Sequence, residues 1–281
     1  MFDGSREKTR PCQPSPNGST PPKVSIIIAN YERAQALEET IKSIVIQRYP
    51  SIELIIIDNA STDRSVEVIR KYESHITRWV SESDEGIYHA FNKGIGMSSG
   101  EWIYFIGSGD RLIGDNAIAT ALSACKDVDL IYGNVYFHSF GSVYPGKFSK
   151  RRFVDLNICQ QAVFYHRRLF EMFGMFDTSY PVLADYVFNM RCFGDKRVRT
   201  RFVDEVISFF EGGGASATKK DPVFWQEKES LIKKYLGMSC WIYFIIKYRF
   251  CLRILQTAYK PYKYYRQACK SRGKTRRPNM L

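Results

Sequence analysis

Two runs of β-branched residues set the pattern of the chain. Val24 to Ala29 (VSIIIA) and Ile52 to Ile57 (IELIII) are apolar at nearly every position instead of at alternate ones. That is how strands read when both faces are buried, as in a parallel sheet covered by helices. Between them, Leu37, Ile41, Ile44 and Val45 recur at helical spacing within ALEETIKSIVIQ, and Pro50 marks the exit from that helix. Ser61 or Thr62, in the string D-N-A-S-T-D, is placed to cap a second helix carrying Val66, Ile69 and Tyr72. Thr77 to Ser81 reads as a short third strand, Ile87 to Met97 as a third helix, and Trp102 to Ile106 (WIYFI) as a fourth strand. Strand alternating with helix up to Asp110 predicts βαβ units with right-handed crossovers, hence an α/β fold with a mainly parallel sheet flanked by helices.

Beyond Asp110 the alternation loosens. The pattern gives a helix near Asn116 to Cys125, a strand over Asp129 to Phe137, helices near Arg168 to Phe173 and Asp185 to Cys192, a strand over Arg199 to Phe210, and a helix over Pro222 to Tyr235. Residues 1–22 are rich in Pro, Ser, Gly and charge, with no apolar run fit for a signal peptide or a membrane span, and are expected to be a disordered leader. Three parts follow: the leader, one domain over residues 23–236 with a first half at 23–110 and a second at 111–236, and a tail over residues 237–281.

The formal net charge is +12, and its distribution matters more than its size. From Leu231 to Leu281 there are 13 Lys and Arg and no Asp or Glu, which leaves 28 basic against 29 acidic residues in the rest. A nearly neutral body does not favour nucleic acid as a partner. The 7 cysteines are an odd number, widely spaced and without a C-x-x-C pair, and the 4 histidines show no ligand spacing. A reducing compartment is expected, and any metal would have to be held by oxygen.

In an open α/β sheet, ligands bind beyond the carboxyl ends of the strands. The residues there are Asn30-Tyr31-Glu32, Asp58-Asn59, Glu82-Ser83-Asp84-Glu85-Gly86 and Gly107-Ser108-Gly109-Asp110, one group per strand and all on one sheet edge. Taken singly, Asp58 and Asp63 read as a helix cap with a turn, and Asp110 as a turn residue. Their joint position at successive strand ends favours a binding role.

The stretches PKVSIIIANYER, IELIIIDNASTDRS and SESDEGIYHAFNKGIGMSSGEWIYFIGSGD resemble, in this order, the N-terminal half of family 2 glycosyltransferases with the GT-A fold. The D-x-G-I-Y-x-A-x-N-K-G segment followed by G-S-G-D is similar to the branch that builds bacterial exopolysaccharides such as colanic acid. The resemblance covers roughly residues 23 to 215. It implies that Ala29, Tyr31 and Glu32 line a nucleotide, that Asp58 and Asn59 contact its base and ribose, that Asp84 is the acid after the third strand, and that Asn92 and Lys93 lie near the diphosphate. Most relatives have two acids where this chain has Asp58 and Asn59. Asp110 matches the last acid of the D-x-D metal motif, with Ser108 in place of the first, which implies a divalent cation, Mg²⁺ or Mn²⁺, held by one carboxylate together with phosphate oxygens and water. The alternative is a metal-free site in which Lys93 or an arginine neutralises the diphosphate. Within CQQAVFYHRRLFEMFGMFDTSYPVLADYVFNMRCF, which resembles the acceptor half, Asp185 matches the general base and Gln160 and Gln161 the positions near donor or acceptor sugar. The alternative for Asp185 is an N-cap.

Trp241 to Leu255 (WIYFIIKYRFCLRIL) mixes bulky apolar residues with Lys247, Arg249 and Arg253 and is too interrupted to span a bilayer. Two readings stand: an interfacial helix on an anionic membrane, or a helix packed on the body with a solvated basic end. The resemblance thus implies an inverting glycosyltransferase in polysaccharide biosynthesis, taking a sugar from a nucleotide sugar, UDP-linked, to a hydroxyl of a saccharide or lipid-linked saccharide. Its expected place is the cytoplasm, peripheral to the inner face of the plasma membrane. The rival from another class is a non-catalytic nucleotide- or membrane-binding protein on the same fold.

Overall fold

The computed structural model describes residues 20–144, 146–212 and 220–251. The expected leader, apart from its last three residues, and the tail beyond residue 251 lie outside the described residues.

The first half follows the pattern closely. Strands β1 (Val24–Asn30), β2 (Ile52–Asp58), β3 (Arg78–Ser81) and β4 (Trp102–Gly107) alternate with helices α1 (Ala34–Val45), α2 (Ser65–Lys71) and α3 (Ile87–Met97). They pair in parallel in the order β3-β2-β1-β4. The continuous apolar runs are explained by burial on both faces. Ile27 packs with Phe91 and Ile95 of α3 on one face, while Ile26 and Ile28 pack with Leu37 and Ile41 of α1 on the other. Each fully buried isoleucine contributes roughly 1.5–3 kcal/mol. A Cβ at position 94 would run into the Ile27 side chain, so the close crossing of α3 over β1 depends on Gly94.

The second half departs from a parallel sheet. It comprises β5 (Arg111–Leu112), α4 (Ala117–Leu122), β6 (Leu130–Phe137), β7 (Ser142–Tyr144), β8 (Val163–His166), α5 (Arg168–Phe173), α6 (Ala184–Gly194) and β9 (Thr200–Phe210). The full order is β3-β2-β1-β4-β8-β6-β9-β5, with β7 paired to β6. β8 runs antiparallel to both β4 and β6, so the sheet is mixed. The pattern did not reveal β8 because its run, VFYH, is short and adjoins a helix of similar apolar content. Two short 3₁₀ turns, Arg152–Val154 and Gln160–Ala162, flank the loop that enters β8.

Helix α7 (Pro222–Leu231), a π-helical turn (Ile232–Leu236), α8 (Met238–Phe244) and a second π-helical segment (Ile245–Cys251) close the described chain. Asp221 is the N-cap of α7, accepting from Phe224 N–H, and its other oxygen accepts from Val182 and Leu183 N–H at 3.1 and 2.9 Å. That second contact fixes the entry to α6.

The described start of the tail packs on the body. Tyr248 Oη and Lys247 Nζ reach Asp155 at 2.7 Å each, and Arg249 and Trp241 reach Glu229 at 2.7 and 3.1 Å. Lys247 and Arg249 are thus held by carboxylates of the protein itself. No helix among the described residues is long and apolar enough to cross a membrane.

Candidate active site

The loops after β1 and β2 are laced together before any ligand is considered. Glu32 and Ala60 lie in the left-handed region at φ 49° and 46°, a conformation that non-glycine residues rarely hold without support. Support comes from Glu32 N–H donating to Ser61 Oγ at 2.9 Å, and from Thr62 N–H and Oγ–H donating to Glu32 Oε1 at 2.7 and 3.0 Å. Asp63 accepts from Ala34 N–H at 2.8 Å and Ser65 N–H at 2.9 Å, so one carboxylate serves the first turns of α1 and α2. The expected cap for α2, Ser61 or Thr62, is occupied elsewhere.

Asp58 is the hub of the strand ends. It is fully buried and accepts from Asn30 Nδ2 and Ser61 Oγ on Oδ1, and from Ser61 N–H and Ser81 Oγ on Oδ2, at 2.6 to 3.0 Å. Those four donors fix the ends of β1, β2 and β3 relative to one another. The fixed Asn30 in turn presents Oδ1 to Ser108 Oγ at 2.6 Å, which ties in the end of β4.

Over these ends opens a cavity of about 790 Å³. Nine of the residues to which the resemblance gives a role line it: Ala29, Tyr31, Asn59, Asp84, Ser108, Asp110, Gln160, Gln161 and Asp185. Four do not. Asp58 lies beneath it and Glu32 is engaged with Thr62. Asn92 is clasped by the backbone of Phe176, donating to its carbonyl at 2.8 Å and accepting from its N–H at 3.0 Å. Lys93 pairs with Glu82 at 2.8 Å and donates to Ser83 O at 3.2 Å. Neither Asn92 nor Lys93 lines the cavity. Among the described residues lining the cavity the cation is Arg33, which donates to Ser108 O at 2.9 Å and to Glu211 Oε2 at 2.7 Å. The sequence showed Arg33 only as the last letter of NYER, with nothing to aim it.

Asp110 sits at the junction of the two halves. Gln161 Nε2 donates to its Oδ2 at 2.7 Å and Glu211 N–H to its Oδ1 at 3.1 Å, while Cys159 Sγ–H donates to Gln161 Oε1 at 2.9 Å and so orients the amide. Burial pushes the Asp110 carboxyl up to about 7, against the opposing pull of those hydrogen bonds and of Arg33. Gly109, at φ 107°, lets this loop pass close to Glu211, where any Cβ would strike the Glu211 carboxylate. The Ser108 hydroxyl is already donated to Asn30. Among the described residues no three acids, histidines or cysteines cluster as a metal cage. A buried carboxylate with a raised affinity for protons nonetheless suits a hard cation that brings phosphate and water oxygens for the rest of its shell.

Asp185 is the second residue of α6 and lies buried against the far side of the cavity. The N-cap position is Leu183, without a side-chain cap, so Asp185 is not the N-cap residue. Tyr88 Oη donates to Asp185 Oδ1 at 2.7 Å, and Asn157 Nδ2 to Oδ2 at 2.7 Å. Desolvation pushes the carboxyl up to about 6, and the hydrogen bonds of Tyr88, the Tyr186 N–H and Asn157 oppose it. A carboxylate titrating there is ionised at neutral pH and basic enough to take a proton from a hydroxyl. Tyr88 was visible in the G-I-Y segment but without a role; Asn157 sits in an irregular loop and gave no signal.

Comparison with known proteins adds to this geometry. The family described as "Glycosyl transferase family 2" matches residues 25–189. A PGL/p-HBAD biosynthesis glycosyltransferase from Mycobacterium bovis (strain BCG / Pasteur 1173P2) is 33% identical over 211 residues, covering 72% of this chain and 82% of that protein. Two solved structures share the fold. One is S. aureus TarS 1-349 in complex with UDP, with a TM-score of 0.62 at 17% identity, covering 76% of this chain; this chain spans 65% of that one. The other is the mannosyltransferase PcManGT from Pyrobaculum calidifontis in complex with GDP-Man and Mn²⁺, with a TM-score of 0.56 at 18% identity, covering 88% of this chain and 82% of that one.

Proposed function

The chain belongs to glycosyl transferase family 2 and is a glycosyltransferase, and on that premise we propose that it moves a sugar from a nucleotide sugar to a hydroxyl of a saccharide or lipid-linked saccharide with inversion at the anomeric carbon. One observation carries the reading: Asp185, buried and titrating near 6, lines the same cavity as the polar strand ends Asn59, Asp84, Ser108 and Asp110.

The donor's nucleotide lies over the ends of β1, β2 and β3. Asn59 Oδ1 already accepts from Asp84 N–H at 2.7 Å, which leaves its Nδ2 as a donor for a carbonyl oxygen of the base. Uracil offers such oxygens, and the solved complexes of TarS hold UDP and UDP-GlcNAc, which supports a UDP-linked donor. Asp110 would hold a divalent cation, Mg²⁺ or Mn²⁺, whose charge offsets that of the departing diphosphate. Arg33, paired with Glu211 at 2.7 Å in the free protein, lies beside the same loop and can turn to the diphosphate.

Asp185 takes the proton of the acceptor hydroxyl as its oxygen attacks the anomeric carbon. The bond from that carbon to the phosphate oxygen breaks, and the nucleoside diphosphate leaves with the electron pair on the opposite face. A base on one side and a leaving group on the other give inversion. Family membership and two buried acids on one cavity favour this over a non-catalytic binding protein.

The acceptor side includes the membrane. Met238, Ile242 and Ile246 are each about half exposed at helical spacing on the docked tail, at 54%, 47% and 54%. Nine of the 13 basic residues follow residue 251, and together with this apolar row they favour peripheral attachment to an anionic surface, at the inner face of the plasma membrane.

The experiment is a thermal-shift panel of UDP-glucose, UDP-GlcNAc and GDP-mannose, each with and without Mn²⁺. A ligand that binds only the folded state raises the melting temperature. A rise with one UDP sugar supports the reading; no rise with any nucleotide sugar or with UDP itself contradicts it.

A further inference from the structure

Behind Asp185 runs a file of buried polar side chains that takes no part in the donor or metal assignments. Tyr165 Oη donates to Asn189 Oδ1 at 2.9 Å. Asn189 Nδ2 donates to Asn157 Oδ1 at 3.1 Å, and Asn157 Nδ2 donates to Asp185 Oδ2 at 2.7 Å. Tyr165 and Asn189 are fully buried.

The order of donors and acceptors in this file is forced. An amide side chain presents an acceptor at one end and donors at the other. Burial keeps the Tyr165 phenol protonated, so it offers its O–H to Asn189 and turns that amide oxygen-first. Asn189 then shows N–H to Asn157, and Asn157 shows N–H to the carboxylate. Reversing Asn157 would set its oxygen against the Asp185 carboxylate and its N–H against that of Asn189, and reversing Asn189 would set its oxygen against that of Asn157.

We propose that Asn157, with its amide locked by Asn189 and Tyr165, is a positioning residue that holds the Asp185 carboxylate in its rotamer and keeps it ionised at neutral pH. The inference rests on Asp185 being the base, and extends that reading to residues two steps away from the cavity. Asn157 is itself a cavity-lining residue. It acts on the reaction through Asp185, since it offers only a donor where the attacking hydroxyl needs an acceptor.

The groups facing Asp185 leave Asn157 a clear share of its ionisation. Tyr88 from α3, Tyr165 from β8, Tyr186 on α6 and Cys159 from the loop before β8 are all held neutral by burial, which pushes every one of them up. Among the described residues no cation pairs with Asp185. The charge on the carboxylate is therefore held by neutral donors, of which Asn157 is one.

The test reads the carboxyl directly. In protein carrying ¹³C-labelled aspartate, the Asp185 carboxyl resonance is the one missing from Asp185→Asn, and its shift is followed against pH. Asn157→Leu, which keeps the branched shape of Asn but has no donor, should raise the midpoint by about one pH unit. Asn157→Asp, nearly isosteric, should raise it further by setting a second carboxylate beside the first. Asn189→Leu should give a smaller rise, because the Asn157 amide is freed to turn.

Release of nucleoside diphosphate from the donor chosen by thermal shift, with water as acceptor, should show its acid limb move up with the midpoint. A midpoint unmoved in both Asn157 variants, with donor-induced stabilisation intact, overturns the proposal. Near-normal turnover in Asp185→Asn overturns the base assignment and the proposal together. The two failures are thus distinct.

Discussion

The hydroxyl of Tyr88 stands between two acceptors, Asp185 Oδ1 at 2.7 Å and the carbonyl oxygen of Val182 at 2.9 Å. It has one hydrogen to give. When Asp185 is ionised the hydrogen belongs on the carboxylate; once Asp185 has taken a proton, the same hydroxyl can turn to Val182 and accept from the new O–H. The base can change charge in a buried site without leaving a polar group unpaired.

Tyr88→Phe should therefore leave donor binding in place and move the acid limb of turnover to higher pH. A folded-state carboxyl near 6 means that turnover falls as pH drops through about 6 in the parent protein. Losing a donor that favours the ionised form pushes that limb up by about one unit, with roughly fivefold lower turnover at pH 6. A pH–rate profile on both proteins checks it; an unmoved limb would show that Tyr88 only packs.

Asp110→Asn should remove the part of donor-induced thermal stabilisation that depends on Mn²⁺, because an amide is a poor ligand for a hard cation bridging phosphates. The part contributed by base and ribose contacts should stay. Equal stabilisation of parent and variant by UDP, with and without Mn²⁺, would take the cation away from Asp110 and leave the diphosphate to Arg33.

How far the sequence reached can be judged from these residues. The buried runs of β1, β2 and β4 and the polar strand ends were readable because each depends on local pattern and on the fixed relation of strand ends to ligands in α/β sheets. The mixed second half was not. β8 is a four-residue strand whose role, pairing with β4 on one side and β6 on the other, comes from long-range register. The same limit applies to the site. Asp110 and Asp185 stood in recognisable strings, whereas Arg33 and Asn157 owe their place to partners at distance in sequence, Glu211 and Asp185. Asn92 and Lys93 show the reverse: a string matched, yet their side chains are held by Phe176 and Glu82.

Glu53, at the opposite end of the sheet, should prove a structural carboxylate. It accepts from Ser25 Oγ at 2.5 Å, from Ser99 N–H and Oγ at 2.7 and 2.8 Å, and from Lys23 at 3.3 Å. Desolvation pushes it up, but these donors prevail and hold it at about 2. A folded value below the unfolded one means the stabilisation is full above about 4.5 and is lost as pH falls toward 2. Glu53→Gln should cost roughly 1–3 kcal/mol at pH 7, and less at pH 3. Urea unfolding at the two pH values reads the difference; a pH-independent gap would contradict the charge-based account.

Ile242→Glu with Ile246→Glu should cut sedimentation with vesicles containing phosphatidylglycerol by roughly tenfold or more, since each half-exposed side chain that enters the interface gains about half of the roughly 1.5–3 kcal/mol of a full burial. Both side chains are about half exposed, so the fold should tolerate the change. Unchanged sedimentation would assign the attachment to basic residues alone, or deny it if the parent also stays in solution.

The most direct measurement takes donor affinity and initial rate on one preparation of Asp185→Asn. The amide matches the carboxylate in shape, keeps the donor side of the cavity untouched and cannot accept the proton. Donor affinity should stay near that of the parent while turnover falls about 10²- to 10⁴-fold, equal to roughly 3–5 kcal/mol of barrier. Near-normal turnover at unchanged donor affinity would remove Asp185 from the chemistry and contradict the account.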